Sequence, residues 1–281
     1  MSDNAASNPK RLSVIITGGA SGLGLVMTRH FASQGHIITI LDVNTAAGHK
    51  VVTDLASEHP HATVNFKRCD VTSWDSQATA FREVYEKYGA VHIVMANAGI
   101  SEQGASSLTL VDEEEPSQPR LRTLEVNLTG VIYTVKLATH YIKRNTPDPT
   151  TGSRGSIICT ASNAGLYPFP VAPLYAASKA GMIGLVRSLG KPLEHVHIQI
   201  NALAPAVLES GISPSKALFE EMVVTPKETL IKGIAQLIAD PSIHGTVAEI
   251  HGDQVTLRSH HEYVDKDTEH NLETFWKLGY A

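Results

Sequence analysis

Apolar residues along this chain fall into short, nearly unbroken runs rich in β-branched side chains, separated by longer stretches in which they recur at helical spacing. The runs occupy residues 12–17 (LSVIIT), 36–42 (HIITILD), 62–70 (ATVNFKRCD), 91–99 (VHIVMANAG), 155–162 (GSIICTAS) and 197–205 (HIQINALAP), with a weaker one near 246–250. Residues 74–88, 121–144 and 174–189 carry the helical spacing. Continuous apolar strands alternating with amphipathic helices predict a parallel sheet buried on both faces. The expected fold is α/β: a single-domain Rossmann-type, doubly wound sheet of about seven mainly parallel strands with helices on both faces. Right-handed crossovers then place a ligand beyond the carboxyl ends of the strands.

The body of this domain is expected over residues 11–250, after a disordered polar tail at 1–10 and before a C-terminal extension at 251–281 that is rich in His and acidic residues. Two polar segments, 101–119 and 145–154, read as surface loops. The first leaves the end of the fourth strand, so it is either part of the active-site rim or a solvated loop.

Charge and composition narrow the partners. With a net charge of -5 and a pI near 6.3, nothing favours nucleic acid or an anionic membrane. The first eleven residues lack an apolar core of the signal-peptide kind, and no apolar run approaches the ~20 residues that cross a bilayer. Cys69 and Cys159 lie in or beside strand-like runs, which suggests two buried thiols in a reducing compartment, hence a cytoplasmic protein. Of the 14 histidines, the pairs His195/His197 and His260/His261 lack a partner cluster, and no metal site is expected.

A Gly-rich turn, Thr17-Gly18-Gly19-Ala20-Ser21-Gly22-Leu23-Gly24, separates the first strand from a helix. Glycine permits positive φ and lets the backbone approach a pyrophosphate. The helix N-terminus adds free amides and a partial positive charge. Gly18, Ser21, Gly22, Leu23 and Gly24 are therefore candidate cofactor contacts, with a simple turn as the alternative. Asp42 ends the second strand, about twenty residues on, where an acid binds an adenosine ribose diol. A 2′-phosphate beside it would meet a repulsion of ~4 kcal/mol at ~4 Å and an effective dielectric near 20. The Gly-rich turn holds no Arg or Lys, and Val43 and Asn44 follow Asp42, so NAD is favoured and NADP remains an alternative. A strand-end turn residue is the other reading of Asp42.

Thirteen positions after Ser162 come Tyr175-Ala176-Ala177-Ser178-Lys179. Residues four apart on a helix share a face. A phenol with an ordinary pKa of ~10 needs a nearby cation to act as a base at neutral pH. Lys179, aided by an oxidised nicotinamide, is expected to supply it, and Ser162 to hold the same substrate oxygen.

With these residues in view, the chain resembles the short-chain dehydrogenase/reductase family over roughly residues 10–250. The matching motifs are TGGASGLG, CDVT at 69–72, NAG at 97–99, LEVNLTG at 124–130 and YAASK at 175–179. The resemblance implies a catalytic tetrad of Asn127, Ser162, Tyr175 and Lys179. Asn127 would kink its helix and anchor a water in a proton relay through Lys179, which would also grip the nicotinamide ribose. Asp70 and Val71 would contact the adenine, and Asn97, Ala98 and Gly99 would line the adenosine side. Within the family, residues 41–44 (LDVN) and 230–254 resemble the branch of 15-hydroxyprostaglandin dehydrogenases and their fungal-type relatives, which implies NAD-linked oxidation of a secondary alcohol. The implied substrate is a small alcohol or ketone, in natural-product metabolism by one reading, and the implied assembly is a homodimer or homotetramer.

Two departures stand out. The family usually has Pro-Gly after the sixth strand and a Thr four residues later. Here Pro205-Ala206-Val207-Leu208-Glu209-Ser210 follows, so Pro205, Val207, Leu208 and the Ser210 hydroxyl are expected at the nicotinamide carboxamide, with the Ala206 methyl straining a tight turn. A substrate lid is expected over about 208–228. Pro192 predicts an early end to the long helix. Two rival functions remain: an NADPH-dependent ketoreductase, and a cofactor-binding protein of this fold that does no redox work.

Overall fold

The computed structural model describes residues 11–102, 108, 114–208 and 220–279. Among these, eight strands form one sheet: β1 (Ser13–Thr17), β2 (Ile37–Asp42), β3 (Thr63–Arg68), β4 (Ile93–Ala96), β5 (Gly155–Thr160), β6 (Ile198–Pro205), β7 (Val247–His251) and β8 (Gln254–Arg258). Their order is β3-β2-β1-β4-β5-β6-β7-β8. All pairings are parallel except β7 with β8.

The helices are α1 (Gly22–Ser33), α2 (Thr45–Glu58), α3 (Trp74–Tyr88), α4 (Arg122–Leu124), α5 (Gly130–Ile142), α6 (Pro173–Glu194), α7 (Lys227–Ala239) and α8 (Lys266–Leu278). A π-helical turn, Glu125–Thr129, joins α4 to α5.

Alternation within the apolar runs builds two cores. Ile15, Val94, Ile157 and Ile200 face Phe81, Val84, Val135, Met182 and Val186 of α3, α5 and α6. Val14, Ile16, Ile38, Ile40, Met95 and Leu203 face Met27, Phe31, Leu55, Leu230 and Ile234 of α1, α2 and α7. Strands buried on both faces read as continuous apolar runs because neither face meets water. Strand order reverses between β1 and β4, which opens a crevice at their carboxyl ends.

Three expectations change. The sheet has an eighth strand, and it lies in the C-terminal extension. Gly252, at φ 50°, makes the tight turn that folds β8 back along β7. The short, half-exposed QVTLR run gave too weak an alternation to predict it. Second, α6 runs through Pro192 to Glu194. Pro192 costs the helix one i→i−4 bond without ending it, and the helix continues for two more residues. Third, Ala206 is unstrained. His197 alone among described non-glycine residues has a positive φ, and the Ala206 amide donates to the Ile250 carbonyl at 2.9 Å.

Candidate active site

The turn after β1 is shaped by contacts that leave no room for side chains. Gly18 has φ 65°, and a Cβ there would lie 2.9 Å from the Ala98 Cα. A Cβ on Gly24 would lie 2.0 Å from the Gly18 carbonyl oxygen. Gly22 also has positive φ, 51°. The turn is held from β4. The Thr17 hydroxyl accepts from the amides of Asn97 (2.9 Å) and Ala98 (3.0 Å), and Asn97 Nδ2 donates to the Thr17 carbonyl at 3.1 Å. Ser21 takes the N-cap position of α1 with no side-chain capping bond, and the first turn of the helix contains no acid. Leu23 is half-buried behind it. Free amides, a glycine cradle and an open helix end suit a pyrophosphate.

Asp42 ends β2 beside this turn. Its carboxylate accepts from the amides of Ala20 (3.2 Å) and Asn44 (3.0 Å), so it also braces the turn. The register sets Asp42 opposite Arg68 on β3. This corrects the expectation that no basic residue lies near Asp42, because a strand partner 26 positions away is invisible to a search of neighbouring sequence. Asp70 sits two residues beyond Arg68. The Thr72 amide, foremost, holds its carboxyl below the usual range; burial is the next largest effect and opposes it, and the Thr72 hydroxyl, Arg122 and Arg68 add to the lowering. Val71 is buried against Gly130, and its carbonyl accepts from Gln77 at 2.6 Å.

The four tetrad residues converge at the carboxyl ends of β4 and β5. Lys179 is 2% exposed. Its Nζ donates to the Thr160 carbonyl at 2.7 Å and lies 5.6 Å from the centre of the Tyr175 ring. A Cβ on Gly99 would be 3.5 Å from the Lys179 Nζ and 3.3 Å from Asn127 Oδ1, which places all three side by side. Asn127 lies in the π-helical turn, the form its expected kink takes. It is fully buried, accepts from the Ile100 amide at 2.8 Å, and donates to the Ile100 carbonyl (2.9 Å) and the Ser178 hydroxyl (3.1 Å). Ser162, past the end of β5, lies beside the Tyr175 phenol; its hydroxyl donates to Asn163 Oδ1 at 3.3 Å and accepts from the Ala164 amide at 3.1 Å.

Electrostatics differ from expectation. Burial raises the Tyr175 pKa, and the neighbouring Ser162 hydroxyl only partly opposes it. Burial lowers Lys179 to about 8, and raises the neighbouring Cys159 thiol to about 12. Burial of its anion therefore keeps the phenol protonated, a proton donor at neutral pH.

Pro205 ends β6, Leu208 is buried, and the Val207 carbonyl accepts from the Thr225 amide at 2.7 Å. Ser210 and most of the expected lid lie outside the described residues. Phe169 lies beside Tyr175, ring centres 6.2 Å apart. Tyr167, in the same loop, donates to Glu249 of β7, itself paired with Arg258 of β8. The C-terminal extension thus braces the loop that follows Ser162. Sequence reasoning passed over Thr160, Ser178 and Glu102. The first two flank motif residues and were within reach, whereas Glu102 is an isolated acid in a polar loop.

No described helix is long and apolar enough to cross a membrane. A family model for short chain dehydrogenases matches residues 13–220. The short-chain dehydrogenase/reductase ATR7 of Stachybotrys chlorohalonatus is 35% identical over 209 residues, 73% of this chain and 58% of that protein. This chain thus spans less than two thirds of that relative's length. The 5'-hydroxyaverantin dehydrogenase of Dothistroma septosporum is 31% identical over 268 residues, 91% of this chain and 87% of that one. A 3-ketoacyl-(acyl-carrier-protein) reductase from Brucella melitensis, solved with NADH, shares the fold. Its TM-score is 0.74 at 22% identity, covering 87% of this chain and 98% of that one. The chain belongs to the short-chain dehydrogenase/reductase family.

Proposed function

We propose that the protein is an NAD-dependent oxidoreductase acting on a secondary alcohol or its ketone, with Tyr175 as acid/base. The convergence of Lys179, Asn127 and Ser162 on Tyr175, next to the glycine turn, carries this reading. A nicotinamide dinucleotide supplies the hydride acceptor or donor. Gly18, Ser21, Gly22 and Gly24 hold its pyrophosphate, Asp42 its adenosine ribose, and Lys179 its nicotinamide ribose. Val207 and Leu208 would border the carboxamide. Ser162 fixes the substrate oxygen while Tyr175 takes the hydroxyl proton in oxidation or returns it in reduction. Each cycle converts an alcohol and the oxidised cofactor to a ketone, the reduced cofactor and a proton.

Asp42 supports NAD over NADP, while Arg68 opposite it favours a 2′-phosphate. The likeness of residues 41–44 and 230–254 to the 15-hydroxyprostaglandin dehydrogenase branch supports oxidation as the working direction. The exposed rings of Phe169 and Tyr167 support a substrate with an apolar flank. The fungal relatives support natural-product metabolism. Exposed Ile132 on α5 and the small exposed residues Ala177, Gly181 and Gly184 on α6 support a homodimer or homotetramer. Two free, buried cysteines support a reducing, cytoplasmic setting.

A panel of secondary alcohols and ketones, followed by absorbance of the reduced nicotinamide with each cofactor, tests the proposal. Turnover with NAD is expected. Cofactor binding without turnover of any panel member would favour the non-redox alternative.

A further inference from the structure

The first turn of α6 has an unusual cap. Pro173 has no amide hydrogen, and the Ala176 amide bonds normally to the Ala172 carbonyl at 3.0 Å. That leaves the amides of Leu174 and Tyr175 as donors without a partner inside the helix. Ala172, at the N-cap, has no side-chain acceptor, and the first turn contains no acid. Both amides donate instead to one oxygen of Glu102, at 2.9 and 3.4 Å, across more than 70 residues of sequence. The other oxygen of Glu102 is buried and has no hydrogen-bond partner. Two residues earlier, Ile100 is held through both its amide and its carbonyl by Asn127. The loop after β4 therefore ties the π-helical turn of Asn127 to the turn that carries Tyr175.

We propose that Glu102 is a positioning residue for Tyr175: it fixes the first turn of α6, and its charge offsets the helix-end field at the phenol. This rests on the reading of Tyr175 as the acid/base. A carboxylate at a helix N-terminus satisfies its donors and cancels part of its positive field. That field, left alone, would favour a phenolate. Removing the charge must therefore make the phenol more acidic. The other groups facing Tyr175 are Lys179 on its own helix, Ser162 beyond β5, and Cys159 of β5 beneath Lys179. All of them stay in place in the variants below.

Glu102→Gln keeps an acceptor oxygen and removes the charge, while Glu102→Ala removes both. Ionisation of Tyr175 is read as tyrosinate absorbance, by difference from the Tyr175→Phe protein, and needs no substrate. In Glu102→Gln it is expected to fall by roughly half a unit. In Glu102→Ala, kcat on any active panel substrate is expected to fall about tenfold, with KM and the NADH dissociation constant little changed, because the phenol loses its alignment. Glu102→Gln should recover most of that loss. Wild-type Tyr175 titration in Glu102→Gln, or a Glu102→Ala protein that loses thermal stability but keeps its kcat, would overturn the proposal. The titration stays decisive even if the panel shows no turnover.

Discussion

Two helices begin at the same end of the same sheet and are treated in opposite ways. At α1 the N-cap Ser21 makes no side-chain bond, no acid sits in the first turn, and glycines clear the approach. At α6 a distant carboxylate already occupies the first-turn amides. The same kind of backbone end is thus left open in one helix and closed by a carboxylate in the other. Which role a helix end plays is decided by what fills its first amides, not by the helix itself.

Closing the open end should break the contrast most visibly. Ser21→Asp places a carboxylate where a pyrophosphate is expected. The NADH dissociation constant, measured by fluorescence titration, should rise roughly 100-fold, since two like charges then face each other. The same change caps α1 and should raise Tm by about 2 °C. Opposite signs on binding and stability are the mark of an open helix end, and unchanged binding would remove the pyrophosphate from α1.

A smaller effect tests the role proposed for Asp42. Asp42→Asn keeps an acceptor for the Ala20 and Asn44 amides but loses the charge. The preference for NAD over NADP in paired titrations should fall about tenfold, the size of a charge-assisted hydrogen bond. An unchanged ratio would mean that Arg68, or another group, sets the choice.

A further effect is one of pH. Lys179 titrates near 8 in the fold and near 10.5 when unfolded. Between those values the unfolded chain binds more protons, so stability rises with pH. Wild type should therefore gain on Lys179→Met as pH climbs from about 8 to 10, by at most about 1.4 kcal/mol per pH unit. Above 10 the raised Tyr175 pKa works the other way, because the folded phenol keeps its proton longer than the unfolded one. Denaturant midpoints across this range decide the matter; a flat difference would contradict a buried, cationic Lys179.

Much of this architecture was legible beforehand because strands buried on both faces leave unbroken apolar runs, as in VIIT and SIIC. The glycine turn and the Tyr175/Lys179 spacing were legible because both are local. What stayed hidden was carried by pairing in space. Arg68 meets Asp42 only through the register of β2 and β3. Glu102 reaches α6 only through the fold. Strand β8 has too few buried positions to announce itself, and Pro192 misled because one lost hydrogen bond did not end a long helix packed along the sheet. The raised Tyr175 pKa was missed for a related reason: spacing reveals a neighbouring cation, while burial emerges only from the packed structure.

The account turns on the proton moved by Tyr175. Turnover and NADH binding measured together in the Tyr175→Phe protein test it most directly. Loss of kcat by ~10²–10⁴ with an unchanged NADH dissociation constant is the expected result. A variant that turns over at the wild-type rate would contradict it.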